Sequence, residues 1–502
     1  MTQWIDGVNR FVWGAPALLL IISVGLFLSV RTGWAQFQFF PKAVRSFLVS
    51  FCKKNNNQGT VSPYKALCTA LAATVGTGNI AGVAGAISIG GPGAVFWMWV
   101  CAVLGMVTKF AEATLAVRFH IKDKDGSYVG GPMYMVRQGI SKRWHFLAVI
   151  YCFFGVVAVF GVGSATQVNA AIGGINGAVE SLGGQSSWFL NIVIGVAFAL
   201  ITVLVLGGGA GRIASVVTFL VPVASIFYLL LGAGVLFIRA NAISEALRAI
   251  FLGAFSPKAV TGGMLGSVFQ ALRIGASRGV FTNEAGMGTA SIAHASAEVS
   301  HPVEQGLMGI IEVFLDTIVI CTVTALVILC SGVTIPYGHD LGIVLTADAF
   351  ANIYGQWVHI PLALALCAFA IATVFGWGLY GARCAQYLFG TFSWKWFAAA
   401  QAASVLLGAV LSTETVWDLS ETANGLMAIP NLIILTALCP ELIRLIHEYK
   451  QFNVSKADHG GTYENINQCK PVRTFSHAEV SPSVCKGKGG REEDLPSKYR
   501  SA

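Results

Sequence analysis

The apolar residues of this chain come in uninterrupted runs of about twenty, and no other feature limits the fold as much. A helical run of that length matches the hydrocarbon core of a bilayer. Of the 502 residues, 55% are hydrophobic and only 11% are charged, so the pattern predicts an all-α integral membrane protein. We expect eleven transmembrane helices, at about residues 11–30, 64–90, 93–118, 144–172, 187–207, 213–238, 260–281, 304–332, 358–381, 394–412 and 417–445.

The positions of lysine and arginine predict the orientation, because these residues are retained on the cytoplasmic side of short loops. The loops after the first and third spans are rich in both. Three other loops contain neither, at residues 173–186, 333–357 and 413–416. The alternation predicts an external N-terminus and a cytoplasmic C-terminus. The loop 239–259 departs from it, since it is expected outside and carries three basic residues.

The net charge of +8 arises from these loops and from a basic tail, so it does not indicate a nucleic-acid partner. The eleven cysteines are scattered, without CxxC pairs or the histidine spacing of a zinc site, and we expect them to be small buried side chains. After about Glu448 the composition turns to Lys, Ser, Gly, Asp and Glu, which predicts a disordered cytoplasmic tail.

The second span contains glycines and polar residues at membrane depth. Gly76 and Gly78 disfavour continuous helix and expose peptide groups, while Thr77 and Asn79 add side-chain oxygens beside them. Non-helical backbone is tolerated in a membrane only where it lines something polar, as at the substrate sites of transporters. The alternative is a helix-packing face, because Gly78 and Gly82 have the spacing of close helix contacts.

The seventh span carries a second set of glycines, Gly266, Gly275 and Gly279, which permit a second break, with Arg273 and Arg278 in its cytoplasmic half. A pair of interrupted helices, one in each half of the chain, points to a substrate site between inverted repeats. The two breaks are five spans apart. This spacing is the one expected of two five-helix repeats after one extra helix.

Ionisable residues within spans are costly in hydrocarbon, about 3 kcal/mol each on insertion scales. Lys109 and Glu112 share a helix face and are expected to pair with one another, with transport as the alternative. Glu312 and Asp316 also share a face, where like charges repel. Asp316 with Thr317 is therefore a candidate ion or proton site, and a salt bridge to an arginine of the seventh span is the alternative.

Other polar side chains lie in the fourth and ninth spans. Gln167 and Asn169 place amides in the fourth span, where they either bind substrate or bridge helices. Thr373 and Trp377 are one turn apart in the ninth, so a hydroxyl and a flat apolar wall face the same way. Trp377 is too deep for an interfacial tryptophan.

Ser277 stands in a G-x-S-x-G pattern, which in serine hydrolases follows a strand and needs a base within reach. The segment follows an apolar run instead, and no base is evident. The pattern is short enough to arise by chance. We expect no catalytic residue and no enzyme activity.

Three motifs, at residues 90–100, 130–135 and 278–288, resemble those of the alanine or glycine:cation symporter family, and the resemblance extends over residues 10–447. It implies the leucine-transporter fold, with ten core helices in two inverted repeats of five, here preceded by one extra N-terminal helix. The expected divisions are 1–61 for the extra helix and loop, 62–238 and 239–447 for the repeats, and 448–502 for the tail.

The resemblance also implies the roles of individual residues. Gly76, Thr77, Gly78 and Asn79 would hold the carboxylate of an amino acid through main-chain amides. Residues of later spans would complete the pocket, namely Gln167, Gly275, Thr373 and Trp377. A tryptophan wall would leave room only for a small side chain.

Sodium ligands are implied as well. The main-chain carbonyl of Val75 and the hydroxyl of Thr373 match a sodium site of leucine-transporter-like proteins, Asn79 would touch a sodium ion, and Asp316 remains the further candidate. Ala372 stands where many relatives carry a second hydroxyl. This difference affects the expected number of sodium ligands, and the expected location of the sodium site stays the same.

Together these features predict a symporter of the inner membrane that couples sodium entry to uptake of alanine or glycine by alternating access. Its partners would be a small amino acid, Na+ and the bilayer, with no cofactor. A proton-coupled carrier of the same fold is the alternative, with Asp316 or Glu312 titrating. A channel or sensor, in which the broken helices form a filter, is a further one.

Overall fold

The apolar runs fold as helices, and two of these helices begin at capping serines. In the computed structural model, Ser62 caps the helix that starts at Pro63 and accepts a hydrogen bond from the Lys65 backbone N–H at 3.2 Å. Ser187 caps the helix that starts at Trp188. The structure describes residues 15–52, 61–123, 126–256, 268–339, 341–410 and 413–458.

The first half of the chain contributes helices α1 to α11 and a short hairpin. The helices are Ala15–Arg31, Ala35–Gln38, Phe40–Cys52, Pro63–Thr74, Val83–Gly90, Gly93–Arg118, Pro132–Gly139, Phe146–Phe160, Thr166–Ser181, Trp188–Leu206 and Gly209–Ile238. Between α6 and α7, strands β1 (Ile121–Lys122) and β2 (Tyr128–Val129) pair antiparallel, with Ile121 opposite Val129. Two π-helical turns, Gly78–Gly82 and Gly161–Ala165, precede α5 and α9.

The second half contributes helices α12 to α21. They are Ile243–Phe255, Val268–Asn283, Thr289–His294, Pro302–Val313, Thr322–Cys330, Gly342–Tyr354, His359–Phe389, Ser393–Val410, Thr413–Ala437 and Cys439–Asp458. A third π-helical turn, Phe314–Cys321, joins α15 to α16. Helix α21 extends past Glu448, where the disordered tail was expected to begin, and residues 459–502 lie outside the described residues.

Six helical segments within the described ranges are long and apolar enough to cross a membrane, and two bent pairs raise the number to eight. The six are Gly93–Arg118, Lys142–Ser181, Trp188–Leu206, Gly209–Ile238, Pro302–Cys330 and Gln356–Phe389. Large apolar side chains such as Phe219 and Phe237 point outward, where lipid would cover them. A multi-pass helical membrane protein is thereby confirmed, whereas the count of eleven and the repeat layout stay predictions.

The packing brings the interrupted spans together in the interior of the unit formed by residues 1–450. Helix α6 packs against α13 and α15, and α18 packs against α4, α9 and α11. Glycines allow close approach at these contacts. A Cβ atom on Gly376 of α18, for example, would lie 2.7 Å from the backbone nitrogen of Ala73. Helix α18 therefore lies directly against the end of α4, where the first interruption starts.

Candidate functional site

The predicted interruption of the second span is present. Helix α4 ends at Thr74, Val75 is extended, and the chain resumes as the π-helical turn that begins at Gly78, with a bend of 54° between the two halves. The Gly76 N–H donates to the Asn79 side-chain oxygen at 2.9 Å. Within the described ranges, the carbonyl oxygen of Val75 accepts no hydrogen bond. The break therefore offers a free backbone acceptor in the protein interior.

Gln167 of α9 and Thr373 of α18 lie beside this break. The Thr77 hydroxyl donates to Gln167 Oε1 at 2.9 Å, and Gln167 Nε2 donates to the Val162 carbonyl at 3.0 Å. A Cβ atom on Gly76 would lie only 2.6 Å from Thr373 Oγ1 and 3.5 Å from Gln167 Oε1. The Thr373 hydroxyl is buried and has no hydrogen-bond partner among the described residues. Two helices, α9 and α18, thus converge on Gly76 in the break.

Asn79 connects the break to the eighth predicted span. Its side-chain nitrogen donates to Asp316 Oδ1 at 2.6 Å and lies 3.4 Å from Cys321 Sγ. Asp316 Oδ2 accepts from the Thr317 hydroxyl at 2.8 Å, and the Asn283 amide reaches that hydroxyl at 3.3 Å. Asp316 therefore has two neutral hydrogen-bond donors at its carboxylate. They occupy the place that the alternative prediction gave to an arginine.

Trp377 lies deep in the interior, with 1% of its surface exposed. Its ring sits against Gly163 in the π-helical turn before α9, where a Cβ atom would collide with it. Tyr380 packs edge-on at a centroid distance of 5.9 Å, and the carboxyl group of Glu284 interacts with the Trp377 side chain. The indole therefore forms a rigid wall between the π-helical turn and the second interrupted helix.

The second interruption occurs later in the chain than predicted. Helix α13 runs without a break through Gly275 and Gly279 and ends at Asn283. Gly275 permits close packing instead, because a Cβ atom there would collide with the Ala94 carbonyl oxygen of α6. Gly266 lies outside the described residues. A contact between Gly275 and substrate stays a prediction.

Three residues with positive φ produce the actual break. Glu284, Gly286 and Gly288 have φ of 53°, 94° and 75°, and a run of left-handed residues cannot continue a right-handed helix. The sequence signal was present in these two glycines, which follow Asn283. It was overlooked because they lie beyond the apolar part of the span.

Glu112 holds this second break, a role that sequence reasoning missed. Its Oε1 atom accepts from the backbone N–H groups of Gly286 and Gly288, each at 3.0 Å, and from Asn431 Nδ2 at 2.7 Å. The expected pair of Glu112 with Lys109 is wrong, since Lys109 Nζ is 2.9 Å from Glu312 Oε1. Lys109 and Glu112 point to the same side of α6. The groups packed against that side, Glu312 and the second break, bind the two side chains in preference to a pair between them.

Further polar residues complete the interior. Glu312 Oε2 also contacts His294 Nε2 at 2.8 Å, and Gln305 lies beyond that imidazole. His294, Gln305 and Asn431 are polar residues in otherwise apolar surroundings, so a census of such residues would have identified them. Their partners lie far away in sequence. In the part of the chain that the structure describes, no group of three or more His, Cys, Asp or Glu side chains is placed to hold a metal ion.

A cavity of about 430 Å³ opens between α9, α17 and α18. Its lining includes Gly174 and Leu366, which are seven residues from Gln167 and Thr373 on their respective helices. Seven residues are two helical turns, or about 10 Å. The cavity therefore lies along the faces that carry Gln167 and Thr373, two turns away from them.

Comparison with known proteins gives this arrangement a context. A sequence model of the sodium:alanine symporter family matches residues 1–462. The sodium/alanine symporter AgcS of Methanococcus maripaludis is 40% identical over 455 residues, which cover 89% of this chain and 96% of that protein. The probable sodium/glutamine symporter GlnT of Bacillus subtilis is 34% identical over 445 residues, covering 88% and 89%.

The structural comparison gives the fold. The crystal structure of MhsT in complex with L-phenylalanine aligns with a TM-score of 0.55 at 14% identity, covering 76% of this chain and 90% of that one. Such a likeness shows a shared fold only, that of the leucine-transporter-like proteins. The relatives are transporters rather than enzymes. With its family match along nearly the whole chain and with interrupted helices around one interior site, this protein belongs to the sodium:alanine symporter family.

Proposed function

We propose that this protein is a sodium-coupled symporter that takes up alanine or glycine by alternating access. The observation that carries the proposal is the convergence at Gly76. An unpaired carbonyl at Val75, an unpaired hydroxyl at Thr373 and the amide of Gln167 lie within one small buried region. Buried polar groups without partners are rare in proteins and indicate an absent ligand or water.

The cation site is assigned to the two unpaired oxygens. Sodium is bound by oxygen ligands, and the Val75 carbonyl and Thr373 hydroxyl are neutral oxygens of the required kind. Ala372 supplies no further hydroxyl, so backbone carbonyls of the break would complete the coordination. The hydrogen bond between Asn79 and Asp316 supports a role for both residues in shaping the break, and their binding of the ion stays a prediction.

The substrate site is assigned to the peptide groups of Thr77 and Gly78 with Gln167, and to that of Gly76 once its N–H exchanges Asn79 Oδ1 for the substrate carboxylate. Main-chain N–H groups at the start of a half-helix favour a carboxylate, because the helix dipole is positive there. Gln167 is anchored by Val162 and Thr77, so its amide is oriented before substrate arrives. The buried Trp377 limits the volume beside it, which favours alanine and glycine over larger amino acids.

The orientation follows from the same proposal. An external N-terminus, eleven spans and a 5+5 inverted repeat would place the cavity of α9, α17 and α18 on the outer side of a bacterial-type inner membrane. Substrate and ion would then enter through it. Binding of both would favour closure, because a ligand shifts a conformational equilibrium toward the state that it binds better.

Uptake by reconstituted protein tests the function. Proteoliposomes that contain the full chain are given radiolabelled alanine with an inward Na+ gradient, with an inward proton gradient, or with neither. Accumulation that needs Na+ and competes with glycine is expected. Accumulation driven by the proton gradient alone would favour the proton-coupled alternative, and non-saturating flux without a gradient would favour a channel.

The substrate is identified in the same vesicles. Counterflow of labelled alanine is measured against unlabelled glycine, serine and glutamine, with D- and L-alanine compared directly. The proposal expects alanine and glycine to exchange fastest. Preferential exchange of glutamine would contradict the size limit assigned to Trp377 and would leave symport itself in place.

A further inference from the structure

A second polar site lies in the interior around His294, the last residue of α14. Its Nε2 atom is 2.8 Å from Glu312 Oε2, and its Nδ1 atom is 2.6 Å from Gln305 Nε2. The other oxygen of Glu312 contacts Lys109 Nζ at 2.9 Å. All four side chains are fully buried. The proposed amino-acid and sodium sites use none of them.

The charges around this imidazole are unequal. Helix α14 packs against α4, α6 and α18 and is followed by α15. Lys109 and Tyr380 on these helices both interact electrostatically with Glu112, Glu284 and Glu312. Cys68 is buried on α4, and His120 contacts the Ala295 carbonyl next to His294. Three carboxyl groups thus stand against one ammonium group. When at least two of these carboxyl groups are ionised, a proton on the imidazole reduces the net negative charge of the cluster, and an uncompensated buried charge is costly.

The hydrogen bonds fit both a neutral and a protonated imidazole. Nε2 faces a carboxylate, so it carries a proton in either state. Nδ1 faces the Gln305 amide, whose Oε1 atom is buried without a partner among the described residues. Rotation of that amide by half a turn presents its oxygen to Nδ1 in place of its nitrogen. A proton can therefore be gained at Nδ1 without displacement of either helix.

The site is close to water on one face of the protein. The chain leaves α14 at Ala295 and reaches Glu298, which is exposed, within a few residues. The Glu298 backbone N–H pairs with the Val61 carbonyl at 3.0 Å, just before α4. Gln305 Nε2 lies 3.5 Å from the Pro63 carbonyl oxygen at the start of that helix. The imidazole is therefore four residues from exposed Glu298, on the side of the protein that the basic loops predict to be cytoplasmic.

We propose that His294 is a proton-binding site. Glu312 fixes Nε2, and the Gln305 amide turns its oxygen toward Nδ1 to accept a hydrogen bond from the proton bound there. The bound proton strengthens the attachment of α14 to α15, because a neutral hydrogen bond to Glu312 becomes a charge-assisted one. Glu312 is one turn before Asp316, which bonds Asn79. Protonation from the cytoplasmic face is thereby linked to the two interrupted helices, and this link rests on the proposed transport function.

Binding of the proton itself is tested without transport. The full chain is labelled with ¹⁵N-histidine, and its spectrum is compared with that of His294→Gln at a series of pH values. The difference signal should report an Nε2–H tautomer that becomes doubly protonated as the pH is lowered. A signal that keeps one protonation state at every pH at which the protein stays folded would overturn the site.

Two variants of Gln305 keep the test decisive even if His294→Gln does not fold. Gln305→Glu places a carboxylate beside Nδ1, and should raise the midpoint of the titration by about one pH unit or more. Gln305→Leu removes the acceptor, and should abolish the transition. Titration unchanged in both variants would show that the amide plays no part.

The link to transport is tested in proteoliposomes with the internal pH varied. Sodium-driven uptake by the unchanged protein should depend on internal pH, with the dependence lost in Gln305→Leu. His120→Gln is the matched control, since His120 is partly buried nearby, contacts the Ala295 carbonyl at 2.9 Å and stacks on Tyr128. Titration without any sodium-driven uptake would contradict the proposed function alone. Uptake insensitive to internal pH would contradict the link.

Discussion

The Asn79 side-chain amide donates to the Asp316 carboxylate at 2.6 Å, across 237 residues of sequence. The same amide accepts, through its oxygen, the Gly76 N–H. Asn79 therefore closes its own break on one side and anchors it to the π-helical turn Phe314–Cys321 on the other. Gly76 and Asp316 are thus connected through a single side chain.

Asn79→Ala should lower sodium-driven alanine uptake at least tenfold while the protein remains inserted. The variant leaves the Gly76 N–H and the Asp316 carboxylate without their shared partner, and an unsatisfied buried group costs about 1–3 kcal/mol. Initial uptake rates in proteoliposomes measure the effect. Asn191→Ala is the control, because that half-buried asparagine bonds only Asn176. Normal uptake by Asn79→Ala would remove the residue from the site.

Gly76→Ala should weaken the apparent affinity for Na+. The new methyl group would lie 2.6 Å from Thr373 Oγ1, a distance that forces Thr373 or the break to move. Gly82→Ala is a matched control in the same segment, since its methyl group would meet Thr282 Cγ2 at an ordinary 3.8 Å. The Na+ concentration for half-maximal uptake is measured for both variants. An equal response in the two would argue against a cation between Val75 and Thr373.

Trp377→Ala should admit larger amino acids such as leucine. The substitution removes an indole that is almost fully buried beside Gly163, and so enlarges the space next to Thr373. Competition of unlabelled leucine against labelled alanine gives the substrate profile. Trp357→Ala provides the comparison, because that tryptophan is 58% exposed. A profile that does not change in Trp377→Ala would contradict a size-limiting wall.

The sequence was sufficient for features that depend on local composition. Apolar runs predicted the membrane helices, and Gly76 and Gly78 located the first interruption, because glycine weakens a helix wherever it occurs. The convergence of Gln167 and Thr373 on that break came from the family resemblance. Neither composition nor spacing alone would have paired residues so far apart in sequence.

Contacts between residues far apart in sequence could not be predicted from local composition. Gly275 looked like a helix breaker, yet it serves close packing against Ala94. Lys109 and Glu112 looked like a pair on one helix face, yet Lys109 bonds Glu312 and Glu112 holds the second break. In each case the local pattern placed the residue on its helix and left its partner undetermined. The choice of partner was decided by helices that pack against it from elsewhere in the chain.

The buried pair of Lys109 and Glu312 gives a prediction about stability. Lys109→Met leaves the Glu312 carboxylate buried with only His294 opposite, and loss of one partner from a buried ion pair costs about 3–5 kcal/mol. Lys109→Met combined with Glu312→Gln removes both charges. It should therefore recover a large part of the loss, although each change alone is harmful.

The apparent melting temperature of the purified protein in detergent measures this cycle. The exposed pair of Arg444 and Glu448, with N and O atoms 2.9 Å apart, is the comparison, because an ion pair in water contributes less than about 1 kcal/mol. Arg444→Met should hardly change the melting temperature. If the Lys109 and Glu312 changes simply added, the two side chains would be stabilised by separate partners, and the charge balance inferred around His294 would have to be redrawn.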